Sequence, residues 1–324
     1  MKKIKLLLMF VLISALSFGA NNKKLKDFSV VLDWYPNAIH SFLYLAEEKG
    51  YFEEEGINLV IHYPANVSDP LALPAAKKVN AGMYYLHQLI MAKANEKIPV
   101  TSIGAITQGP LNVVIAKEEN NIKRPKDLVG KKVGYSQGDV AERLLSTVIA
   151  LDGGDVKQAK LLDVGFDLLT ATITNSVDAT FGGFVNHEVP VLEERGIKVN
   201  YFYPTDFGFP NYYEEVFVVN EDMVKEDKEL YQGFLRAIRR GFEDMRKDPD
   251  GAVDLLLKKQ EADQFPLTRN VEKQSIDILI PLMETENSKF LSQDKKVWEE
   301  NIDWMLQQGM IKEKISAEDV MVEL

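Results

Sequence analysis

Side chains able to do chemistry are few in this chain, and most of them follow short apolar runs. Trp34 comes directly after the run at residues 28–32. Its indole offers a face on which a flat heteroaromatic ring can stack, worth about 1–3 kcal/mol per ring, although a tryptophan here could equally be a core residue. Asn37 and His40 come next, at the start of a helical pattern, where a side-chain amide can cap the helix or reach a ligand. Tyr84, Tyr85 and His87 close another run. Neighbours on a strand point to opposite faces, so one tyrosine faces away from the core, and Tyr85 is assigned that place. Ser136, Gln137 and Gly138 open a helix whose free backbone N–H groups suit a formyl, hydroxyl or anionic group. Glu188 lies just past a further run, where a carboxylate can accept two charge-assisted hydrogen bonds or simply favour the start of a helix.

One motif suggests catalysis. Gly134-Tyr135-Ser136-Gln137-Gly138 matches the Gly-x-Ser-x-Gly nucleophile elbow, in the strand-turn-helix context that motif requires. A hydrolase of that type needs an acid and then a histidine on later strands. His187 is the only histidine beyond Ser136 and follows it by only about 50 residues. No HGGG-type loop precedes it, so the match reads as chance. His40, His62 and His87 show no metal-ligand spacing, and a chain without cysteine excludes disulfides, thiolate zinc sites, iron–sulfur clusters and cysteine nucleophiles.

The elements that must position these residues read as α/β. Strands are expected at 28–32, 57–63, 79–84, 100–106, 111–116, 132–135, 160–164, 179–181, 197–202 and 216–220. The first expected helix, 41–49, stops at Gly50, the residue a left-handed C-cap prefers. Beyond Asn220 the chain turns helical, with patterns at 230–246, 252–259, 272–283 and 298–308. No internal repeat is visible. The length of 324 residues, with 46% hydrophobic and 27% charged residues, leaves room for two ordinary domains. A net charge of −11 argues against a nucleic-acid or anionic-lipid surface. Lys2, Lys3 and Lys5 precede an apolar run at 6–16, too short to span a bilayer, and Ser17, Gly19 and Ala20 follow. Residues 1–20 are therefore expected to be a secretory signal peptide, cleaved after Gly19 or Ala20. With no cysteine to carry a lipid, the expected address is a periplasm.

Several segments resemble a known family. The run from Leu45 to Ile57, a helix ending in Lys49-Gly50-Tyr51-Phe52 and resumed as Glu55-Gly56-Ile57, is similar to the opening of two-domain solute-binding proteins of ABC importers. The narrower resemblance is to the branch that binds thiamine pyrimidine precursors, which is similar to the fungal pyrimidine synthases. Leu32-Asp33-Trp34-Tyr35-Pro36-Asn37, the stretch from Ile98 to Gly104, the stretch from Gly130 to Ser136, the stretch from Gly182 to Glu188, and Gly208-Phe209-Pro210-Asn211-Tyr212 carry it. The resemblance implies an α/β, two-lobe periplasmic binding protein of type II, each lobe a mostly parallel sheet flanked by helices, with the ligand in the inter-lobe cleft. With crossings at 111–116 and 214–220, lobe one is expected at 27–111 plus 214–324 and lobe two at 112–213. The implied ligand is hydroxymethylpyrimidine or formylaminopyrimidine, held by Trp34, Asn37, His40, Tyr85, His87, Ser136, Gln137 and Glu188. A riboflavin precursor or a sulfonate is the alternative ligand. The implied partner is an ABC permease, the binding protein acting as a monomer with no cofactor, no metal and no nucleic acid. In the synthases a lysine and a histidine four residues apart serve cofactor and substrate. The histidine position is His87 here, but the lysine position is Met83, and the synthases' cysteine-rich motif is absent. No catalysis is expected.

Overall fold

The computed structural model describes residues 24–260 and 266–324. The signal peptide expected at 1–20 lies outside the described residues. Among the described residues ten strands form two five-stranded sheets. In chain order they are β1 (Lys26–Val31), β2 (Ile57–His62), β3 (Ala81–Tyr85), β4 (Val100–Ala105), β5 (Asn112–Lys117), β6 (Lys132–Tyr135), β7 (Lys160–Asp163), β8 (Ala179–Phe184), β9 (Val199–Phe202) and β10 (Glu215–Asn220). The first sheet has the order β2-β1-β3-β10-β4 and the second β7-β6-β8-β5-β9. In each, four strands run one way, and the reversed strand, β10 or β5, pairs antiparallel on both sides. Each sheet is thus mixed, and the reversed strand is the one that enters it from the other lobe. One strand plan is used twice, although the sequence shows no repeat.

Burial explains why the apolar runs became strands. Every residue of β3, β4, β8 and β10 is buried, as expected of strands covered on both faces. Phe28 of β1 stacks on Phe234 of the helix Lys228–Lys247 at 4.2 Å, fixing that long helix to the first sheet. The helix Ser41–Glu48 ends before Gly50, which takes φ 73°. Strand β8 runs to Phe184, beyond the expected end at 181, because its pairing with β5 shifts between Val113 and Val114. Gly182 fills that bulge at φ 105°, a conformation that side chains rarely adopt.

The two crossings lie side by side. The Glu214 carboxylate accepts from the Leu111 and Asn112 N–H groups at 2.9 and 2.7 Å, and Thr107 Oγ1 accepts from the Glu214 and Glu215 N–H groups. Burial pushes the Glu214 carboxyl up to about 7 against the pull of those donors. Acidic side chains at the surface pair within the molecule, Glu54 with Arg240 and Glu55 with Arg236, while Glu194 accepts from Thr268. Among the described residues no helix is long and apolar enough to cross a membrane.

Candidate functional site

The carboxyl ends of β1, β3 and β8 bring residues of both lobes around one inner cavity, lined by Asp33, Trp34, Asn37, Ile39, Tyr85, Gly182, Phe184, His187, Glu188 and Glu215. It measures about 20 Å³, room for roughly one water. A wider groove of about 290 Å³ adjoins it and shares Trp34, His187 and Glu188. Across that groove Phe166, from the loop after β7, meets the Trp34 ring edge-on at 4.6 Å. A ring ligand therefore reaches the inner cavity only when the lobes part, the hinge motion expected of such a cleft.

Lobe one presents a pre-set platform. Asn37 Oδ1 accepts from the Ile39 N–H, and the Asn37 N–H donates to His40 Nδ1, a reciprocal cap on the short turn Ala38–His40. With Nδ1 accepting, Nε2 carries the proton and donates to Asp33 Oδ1 at 2.9 Å. The Tyr85 hydroxyl donates to Asp33 Oδ2 at 3.0 Å. Burial, then the charge of Asp33, raises the Tyr85 pKa well above the ordinary tyrosine value, so it remains a donor. Glu215 opens β10 directly opposite Tyr85. Burial, reinforced by Asp33 and Glu214, raises its pKa well above the carboxylate range.

Lobe two supplies a cation and a second carboxylate. His187 Nδ1 lies 2.8 Å from Glu188 Oε1, and Glu188 Oε2 accepts from the Phe184 N–H at 2.6 Å. Burial works against the charge of His187, but the carboxylates of Glu188, Glu272 and Asp33 prevail and push its pKa up to about 9. It is a cation at neutral pH. The lining is therefore an aromatic face surrounded by acids and one half-buried cation.

Of the eight residues the sequence singled out, the structure brings Trp34, Asn37, Tyr85 and Glu188 to the inner cavity. His40 stands behind it, fully buried, and acts through Asp33. Ser136 packs against Gly182, where a Cβ would meet its own at 3.3 Å, and Gln137 accepts from Gln88 of the opposite lobe at 3.1 Å. Neither lines the cavity. His87 is a correction: it faces the lobe-one core, its Nε2 against Asn301 Oδ1 at 3.0 Å and its ring packed on Tyr212 and Trp304. Strand β3 ends at Tyr85, so His87 already belongs to the helix Leu86–Glu96, whose buried face turns inward. The sequence missed Asp33, Phe184, His187 and Glu215. One signal existed: Asp33 beside Trp34 at a strand end.

The nucleophile elbow is not assembled. Among the described residues Ser136 Oγ has no hydrogen-bond partner, and His187 is committed to Glu188. The strained position of the turn belongs to Gln137, at φ 76°, and not to the serine. Met83, at the synthases' lysine position, is fully buried in β3. Among the described residues no group of three or more His, Asp or Glu side chains could hold a metal ion.

Two sheets of matching order around an inter-lobe cleft define the periplasmic binding protein fold. The alkanesulfonate-binding protein SsuA of Xanthomonas axonopodis superposes over 92% of this chain and 98% of its own with a TM-score of 0.70 at 13% identity. A Candida albicans protein with the generic periplasmic binding protein fold superposes over 92% and 97% with a TM-score of 0.68 at 15% identity. Residues 37–252 match the family described as NMT1/THI5 like, and the chain belongs to that family. It is 40% identical to the formylaminopyrimidine-binding protein of Halalkalibacterium halodurans over 93% of this chain and 91% of that one. It is 28% identical to the 4-amino-5-hydroxymethyl-2-methylpyrimidine phosphate synthase of Legionella pneumophila over 75% and 77%.

Proposed function

We propose that this chain is the substrate-binding component of an ABC importer and captures a thiamine pyrimidine precursor, formylaminopyrimidine or hydroxymethylpyrimidine, for delivery to the permease. The observation that carries the reading is the inter-lobe cavity in which the Trp34 indole lies beside Asp33, Tyr85, Glu188 and Glu215. A flat ring can stack there while its amino groups meet carboxyl acceptors. The 40% identity to a formylaminopyrimidine-binding protein supports the same ligand class. The acids lining the cleft disfavour a sulfonate.

Size sets the demand on the site. An aminopyrimidine of about ten heavy atoms has a ceiling near 1.5 kcal/mol per atom, about 15 in all. Nanomolar binding, about 12 kcal/mol, then requires contact with nearly every atom. Contact of that extent requires the lobes to part, admit the ring and close on it from both sides. The lobes are proposed to be 27–111 with 214–324 and 112–213, hinged at the crossings that Glu214 ties together. The leader read at residues 1–20 would export the chain to the periplasm, where it would act as a monomer without enzymatic turnover. Mass spectrometry of small molecules released from protein purified out of its native host tests this. A released aminopyrimidine is the expected result, and a released sulfonate or flavin would displace it.

A further inference from the structure

Glu215 is the cavity residue with no explained role. Its backbone is fixed, the N–H donating to Thr107 Oγ1 and the carbonyl accepting from the Ile106 N–H at 2.8 Å. The side chain lines the inner cavity and is fully buried, yet among the described residues no donor faces either carboxyl oxygen. Every other acid nearby has donors: Asp33 from His40 and Tyr85, Glu188 from His187 and the Phe184 N–H, Glu214 from two backbone N–H groups. A buried carboxylate without a donor is strongly disfavoured. The group beside it is Asp33, itself an acceptor and within hydrogen-bonding reach, so the contact between them needs a proton on one of the two. The two carboxyls can be neighbours without repulsion only if one holds a proton, and Asp33, with two donors, is the better anion. Burial and the charges of Asp33 and Glu214 act in the same direction on Glu215. Glu215 therefore carries a hydroxyl donor and a carbonyl acceptor side by side in one plane.

We propose that Glu215 reads the ligand as a neutral carboxylic acid, its hydroxyl donating to a ring nitrogen while its carbonyl oxygen accepts from the adjacent amino group of a heteroaromatic amine. Two parallel hydrogen bonds of opposite sense select an edge that alternates acceptor and donor. This deepens the aminopyrimidine reading above and rests on it. It assigns to Glu215 the selectivity that the sequence pattern assigns to Glu188, whose two oxygens already have partners.

The test is calorimetry of the mature chain and its Glu215→Gln and Glu215→Leu variants with hydroxymethylpyrimidine and with its analogue carrying methyl in place of the ring amino group. Glutamine has the shape of the protonated acid and the same donor and acceptor, so Glu215→Gln should bind within about threefold of the parent. Glu215→Leu should lose about 100-fold or more, and the parent's preference for amino over methyl should fall below about threefold in it. Ligand-free melting should be near-parental in Glu215→Gln, which keeps a donor toward Asp33, and somewhat lower in Glu215→Leu, which does not. If Glu215→Gln is as weak as Glu215→Leu, the residue acts as an anion and the proposal is wrong. If Glu215→Leu keeps the amino preference, Glu215 does not touch the amine. The glutamine arm decides the question even if the leucine variant fails to fold. Failure of the parent protein to bind any aminopyrimidine would instead defeat the ligand reading, and this inference with it.

Discussion

The two sheets share one strand order, yet the turns that follow β1 and β6, the second strand in each order, are built in opposite ways. After β1 the side chains of Asp33, Asn37 and His40 are all engaged: Asp33 accepts from His40 and Tyr85, and Asn37 and His40 cap one another's backbone. After β6 the turn holds Gln137 at φ 76° and leaves Ser136 Oγ and Gln137 Nε2 buried without partners. Buried polar atoms are normally satisfied, so the difference is informative. The turn after β1 is a finished platform whose geometry precedes the ligand. The turn after β6 stands beside the bulge at Gly182 and keeps polar atoms to spare among the described residues.

The largest expected effect comes from breaking the platform. Asp33→Ala leaves the His40 Nε2–H and the Tyr85 hydroxyl buried without an acceptor, at about 1–3 kcal/mol each. Urea unfolding should show a loss of about 2–5 kcal/mol, with ligand binding lost as well. The corresponding change in lobe two, Ser136→Ala, removes an oxygen that bonds to nothing and should stay within about 0.5 kcal/mol of the parent. Equal losses in the two variants would erase the contrast between the turns.

Next in size is Trp34→Ala, which removes the stacking face and should cost about 1–3 kcal/mol of binding, roughly 5- to 150-fold in affinity by calorimetry. Phe166→Ala takes away ring contacts with Trp34 and Tyr35, about 0.5–1.5 kcal/mol each, and leaves the stacking face in place. Glu188→Gln should weaken binding by about tenfold. It should also lower the His187 pKa, because the carboxylate that opposes the effect of burial is gone.

Two histidines sharpen the comparison through pH. His187, at the lobe-two rim of the cleft, has its pKa raised to about 9. It contributes stability in full below the unfolded value of about 6.5, and that contribution fades as pH rises through 9. His87, in the lobe-one core, is lowered by burial to about 4 and is held neutral. Its contribution is present above about 6.5 and is lost as pH falls through 4. Histidine NMR titrations should separate the two by several pH units. A common value near 6.5 would contradict both environments.

All ten strands were legible in the sequence, because apolar runs bounded by turns leave little ambiguity when both faces of a sheet are covered. The error at β8 has a local cause: Gly182-Gly183 reads as the end of a strand, whereas the structure uses Gly182 to bulge and continue. Trp34 and Tyr85 were legible because strand ends and strand alternation place them without reference to the rest of the molecule. His87 was misread by the same logic, since one residue past the strand end the chain is already helical. Glu215 was not legible. Adjacent acids at 214 and 215 look like a charged turn, and only the pairing of β10 against β3 shows that the second points into the cavity while the first ties the crossings together. The repeated strand plan was hidden for a related reason: topology can repeat where residues do not.

The most direct test of the central claim is a calorimetric titration of the mature chain with hydroxymethylpyrimidine, formylaminopyrimidine, riboflavin and an alkanesulfonate under one set of conditions. The account predicts tight binding of at least one pyrimidine, with no detectable heat from the sulfonate. Tight sulfonate binding with neither pyrimidine bound would contradict it.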